Sequence, residues 1–76
     1  MNNETSEDLR KRADMVRFNR NANERAPTAW FASLKPKRQA DIQRALERNA
    51  AELDKQARAA ARHEIAAIKR ANRRTA

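Results

Sequence analysis

Arg48, Lys55, Arg62 and Lys69 stand seven residues apart. On an α-helix of about 3.6 residues per turn, that interval keeps all four cations on one side through three heptads. Lys37, Arg44 and Arg73 fall in the same sector, about 40° wide, and Arg58 sits at its edge. A line of cations on a straight helix can meet successive phosphates, each contact releasing condensed counterions. Arg70 and Arg74 add charge that no nearby acid offsets. The same residues also fit a solvated face neutralised by pairs such as Asp54 with Arg58. That description suits residues 37 to 54, where acids nearly match bases, better than the residues that follow.

RFNRNANER, residues 17 to 25, is a second candidate. Arg forks onto phosphate or guanine, Asn pairs base edges, and an aromatic such as Phe18 can stack on a base. Arg17, Phe18 and Arg20 are therefore candidate contacts, although Arg and Asn are ordinary surface residues and a Phe is commonly core. His63 and Glu64 begin like an H-E-x-x-H zinc site, but Ala67 stands where the second His belongs. With one His and no Cys, no metal or cofactor site is expected, and His63 reads as a surface residue. The same count removes Cys–His nucleophilic pairs and leaves His63 to build any serine triad alone. An enzyme is not expected.

The 76 residues carry 18 Lys and Arg against 10 Asp and Glu, a net charge of +8. An anionic partner follows: nucleic acid first, with an acidic protein surface as the alternative. The distribution is uneven. Residues 1–26 hold six bases and five acids, residues 27–54 five and four, and residues 55–76 seven and one. The absence of Gly removes phosphate-cradling loops, and the absence of Cys removes disulfides. No apolar run approaches a membrane span, and the composition reads as that of a cytoplasmic protein. Large apolar side chains are few, because 17 of the apolar residues are Ala. So thin a core predicts self-association, as a homodimer.

The elements that position these residues are helices. High Ala, Arg, Glu and Gln, with no alternating strand pattern, predict an all-α fold in one small domain. Thr5, followed by Ser6, Glu7 and Asp8, starts a first helix from about Ser6 to Arg25, after a flexible stretch over residues 1–5. That helix carries two apolar patches, Leu9, Ala13 and Val16 on one side and Met15, Phe18, Ala22 and Ala26 nearly opposite. Pro27 breaks the arm, which Thr28 recaps to carry it through Leu34. Pro36 then opens a long helix to about Arg74. Its stripe of Ile42, Leu46, Ala50, Leu53, Ala57, Ala60, Ala61, Ile68 and Ala71 turns mostly to Ala after Leu53, predicting fraying or partner dependence beyond about residue 58. Dimerisation is expected through Trp30, Phe31, Leu34, Ile42, Leu46 and Leu53.

Two stretches, MVRFNR at 15–20 and QADIQRALERNAAEL at 39–53 followed by ARAAAR, resemble the Rop family of plasmid copy-number regulators over about residues 9–62. The resemblance implies a helical hairpin that dimerises into a four-helix bundle and binds paired RNA loops through its first helices. By position, Phe18 keeps the family's RNA-contact residue. Asp14 and Ala22 stand where the family has amides, and Glu7 where it has a lysine. The joint expectation is a non-enzymatic helical regulator that binds nucleic acid, RNA ahead of DNA. Its contacts would come from Arg17, Phe18, Arg20, Arg48, Lys55, Arg58, Arg62, Lys69, Arg70, Arg73 and Arg74.

Overall fold

The computed structural model describes residues 4–75, with side chains for residues 4–73. Helix α1 (Ser6–Arg25) starts behind Thr5. The Thr5 hydroxyl accepts from the Asp8 backbone N–H at 3.2 Å, and Asp8 Oδ2 accepts from the Thr5 N–H at 3.3 Å. This reciprocal box satisfies two donors that a first helical turn leaves open. Glu4 pairs with Arg12. Within the stretch expected to be flexible, residues 4 and 5 make these contacts, while residues 1–3 lie outside the described residues.

Pro27 stops α1 as expected, and Thr28 caps a single turn, α2 (Ala29–Ala32), by accepting from the Phe31 N–H at 3.2 Å. The corner after it is closed by a side chain. Gln39 Nε2 donates to the carbonyl oxygens of Phe31 and Leu34 at 3.0 and 3.1 Å, serving the Leu34 acceptor and adding a second donor to the Phe31 carbonyl, which also accepts from the Leu34 N–H at 3.1 Å. Helix α3 (Pro36–Thr75) then runs 40 residues without interruption. At about 1.5 Å per residue this is about 60 Å, and it sets the longest dimension of the molecule, 62 Å. The helix continues past residue 58 to Thr75, where Ala, Arg and Lys favour it by intrinsic propensity even though packing is thin. No strand occurs among the described residues, so the fold is all-α.

α1 lies along α3 in the opposite direction. Asn23 meets Gln43, Arg17 meets Asp54, and Ser6 meets Glu64, in reverse order on the two helices. Leu9 and Ala13 from α1 pack with Leu53 and Ala57 from α3, and Val16 and Ala60 flank them. Ala13, Ala50 and Ala57 are almost wholly enclosed, so the contact is built on small side chains that let the helices approach closely. Of the residues expected to join two subunits, Leu53 is committed to α1 and Phe31 is buried within the chain. Leu34, Ile42 and Leu46 are half-buried, and Trp30 is exposed.

Candidate nucleic-acid interface

α1 covers α3 only as far as Glu64. The Glu64 carboxylate receives the first residue of α1 with both oxygens: Oε1 accepts from the Ser6 N–H at 2.8 Å and Oε2 from the Ser6 hydroxyl at 2.7 Å. The backbone hydrogen bond, then the hydroxyl, hold Glu64 below its ordinary pKa, with the positive field of Arg10 adding to them. Past this clasp α3 continues over residues 65 to 75, about three turns and roughly 16 Å. Ile65 and Ile68 are 53% and 61% exposed there.

This geometry sorts the predicted cations into two groups. Arg48, Lys55, Arg58, Arg62, Lys69, Arg70 and Arg73 are all exposed on α3. Among the described residues, no carboxylate lies within ion-pair distance of Arg48, Lys55, Arg62, Lys69, Arg70 or Arg73. Arg58 lends its field to Asp54 without reaching it as an ion pair. The side chain of Arg74 lies outside the described residues. Glu64 is the one acid in the stretch 55–76, and it is already turned to Ser6. Among the described residues, the positive charge of the projecting segment is thus uncompensated.

Arg17 and Arg20 belong to the second group. Arg17 Nη2 donates to Asp54 Oδ2 at 2.6 Å and lies 3.9 Å from Glu47, while Arg20 Nη1 is 3.3 Å from Glu47 Oε2. The Arg20 contact is close but poorly aligned: Glu47 Oε2 and Arg20 Nε are enclosed without a hydrogen bond, so this pair is held by charge alone. The hydrogen bond from Arg17, ahead of its charge, holds Asp54 below its ordinary range, and the same bond raises the Arg17 pKa. Asp54 therefore pairs with Arg17 across the helices, where sequence spacing had suggested Arg58. Both arginines fasten α1 to α3. Phe18, by contrast, is 67% exposed on the outer side of α1.

Two shallow depressions mark the surface of α3. The larger, lined by Asp41, Arg44, Glu47 and Arg48, has mixed charge, and Arg44 is paired with Asp41 at 2.7 Å. The smaller is lined by His63, Ala66, Lys69, Arg70 and Arg73 and contains no acid, which favours an anion. No group of three metal-ligating side chains occurs among the described residues, and no described helix is long and apolar enough to cross a membrane. No protein family matches the chain, and no curated protein and no solved structure is significantly similar to it.

Proposed function

We propose that this chain is a non-enzymatic, helical-hairpin protein that pairs with a second copy and binds nucleic acid along the exposed basic face of α3. The observation that carries the reading is the projecting end of α3, where Arg62, Lys69, Arg70 and Arg73 are exposed and the local carboxylate is occupied by Ser6. Arg48, Lys55, Arg62 and Lys69 are spaced about 10.5 Å apart along a straight axis, beyond the Debye length of about 8 Å at physiological salt. Such cations act nearly independently, each able to neutralise a separate phosphate. Arg17 and Arg20 are assigned to holding the hairpin together. Titration into labelled RNA and duplex DNA over a salt series tests the reading; affinity indifferent to salt contradicts it.

A second reading rests on Ile65 and Ile68, which lie exposed between those cations. A phosphate backbone gives isoleucines no apolar cover, whereas an acidic protein surface with an apolar centre does. In that reading the chain is an adaptor or inhibitor. Capture of a protein partner that survives nuclease treatment, and loses binding with Ile68→Ser, separates it from the first.

A further inference from the structure

α1 is used on one side only. Leu9, Ala13 and Val16 face α3, and 180° away Met15 and Phe18 are 61% and 67% exposed, with Lys11, Ala26, Asp8 and Arg25 exposed around them and Ala22 half-buried. On a helical wheel, Asp8, Met15 and Ala22 form one row of this outer face and Lys11, Phe18 and Arg25 the adjacent row, each with an interval of seven. Two interleaved seven-residue rows are the arrangement by which one helix packs along another.

We propose that this outer face of α1 docks antiparallel on the same face of a second copy, Met15 packing against the partner's Phe18. The proposal rests on the self-pairing part of the proposed function and gives it a surface. The charges select both the occupant and its direction. In the register that places Met15 against the partner's Phe18, the same offset places Asp8 against the partner's Arg25 and Lys11 against the partner's Ala22. Each relation occurs twice under the two-fold axis of an isologous dimer. Glu7 lies on the same flank of α1 as Arg25, so the partner's Arg25 meets Glu7 as well as Asp8. A parallel pairing instead sets Asp8 against Asp8 and Arg25 against Arg25, and like charges in facing positions are repulsive.

The other bare apolar strip, Ile65 and Ile68, does not self-pair in this way. It lies in a segment where four bases and no acid follow Glu64, so two copies brought together there repel. The outer face of α1 is the one apolar surface described here whose flanking charges complement themselves. It is short, about two and a half heptads, which places the dimer among weak, concentration-dependent assemblies. Phe18 is thereby assigned to a protein contact. The cations of α3, on the other helix, stay open to a polyanion.

Sedimentation equilibrium over a concentration series, with helicity followed by circular dichroism, tests the pairing. The unaltered chain is expected to dimerise, and Phe18→Glu to remain monomeric with its helicity retained. Glu7→Arg and Arg25→Glu are each expected to weaken the dimer by about tenfold, and the two together to restore it to within about threefold of the unaltered chain. A monomeric unaltered chain, a dimer indifferent to Phe18→Glu, or a double variant no stronger than either single one overturns the proposal. Lys69→Gln, Arg70→Gln and Arg73→Gln combined are expected to leave the dimer intact while reducing polyanion binding. A monomer that still binds nucleic acid with a salt slope overturns the pairing alone; an intact dimer that binds no nucleic acid overturns the proposed function alone.

Discussion

Arg17 Nη2 lies 2.6 Å from Asp54 Oδ2, across 37 positions of sequence, and this contact links the middle of α1 to the middle of α3. It also decides what Arg17 is available for, because a guanidinium turned to Asp54 and Glu47 presents little charge outward. Arg17→Gln is expected to lower the thermal midpoint while leaving nucleic-acid affinity nearly unchanged. Arg20→Gln should cost less stability, since its contact with Glu47 is poorly aligned. Circular dichroism melts of both variants, beside a binding titration, check the assignment; a large affinity loss with Arg17→Gln would put that residue back in the interface.

Acid should loosen the same contact between α1 and α3. Asp54 and Glu64 both have folded pKa values lowered by hydrogen bonds from the opposite helix. A lowered folded pKa means that stability is present above the unfolded value and is lost as pH falls through the folded one. Stability is therefore expected to hold above about pH 4.5 and to decline below about pH 4. Glu64→Gln together with Asp54→Asn should flatten that decline in pH-dependent urea melts, and an unchanged acid limb would contradict it.

The apolar contact is small, so single truncations should be severe. Leu53→Ala removes a side chain that is 5% exposed and packed against Leu9 and Ala13. Its expected cost is about 2–5 kcal/mol, enough to unfold much of so thin a core. Leu9→Ala should behave alike. Ile68→Ala, on the uncovered strip, should change the midpoint little, and urea midpoints for the three variants give the comparison.

Gln39 holds the corner. Its amide donates to two backbone carbonyls, and Gln39→Ala leaves both without that donor. The Phe31 carbonyl keeps the Leu34 N–H, so a loss of about 1–3 kcal/mol is expected where the Leu34 carbonyl stays shielded, and less where water replaces the amide. Amide exchange at Leu34 and Gln39 should accelerate in the variant; unaltered exchange would remove Gln39 from the corner.

The ends of the elements were legible in the sequence because local chemistry sets them. Thr5 and Thr28 read as caps, Pro27 as a break and Pro36 as a first helical position, and each does that work in the fold. The inner and outer patches of α1 were also legible, since helical periodicity alone separates Leu9 and Ala13 from Met15 and Phe18. What the sequence could not supply was partner choice between helices. Arg17 finds Asp54 and Ser6 finds Glu64 only once the register of α1 on α3 is set, and local spacing pointed Asp54 to Arg58 instead. Gln39 was missed for a similar reason: an amide near a corner carries no signal until the carbonyls it serves are in place. Of the candidate contacts, the heptad line on α3 stays exposed as the spacing indicated, and the arginines of α1 turn inward.

The salt dependence of nucleic-acid binding tests the central claim most directly. For the unaltered chain, a plot of log affinity against log salt should slope steeply downward, by about 0.7 to 0.9 per phosphate neutralised. Replacing Arg62, Lys69, Arg70 and Arg73 with Gln should flatten that slope by about three while the melting curve stays close to that of the unaltered chain. A slope near zero for the unaltered chain, or a slope untouched by the four replacements, contradicts the account.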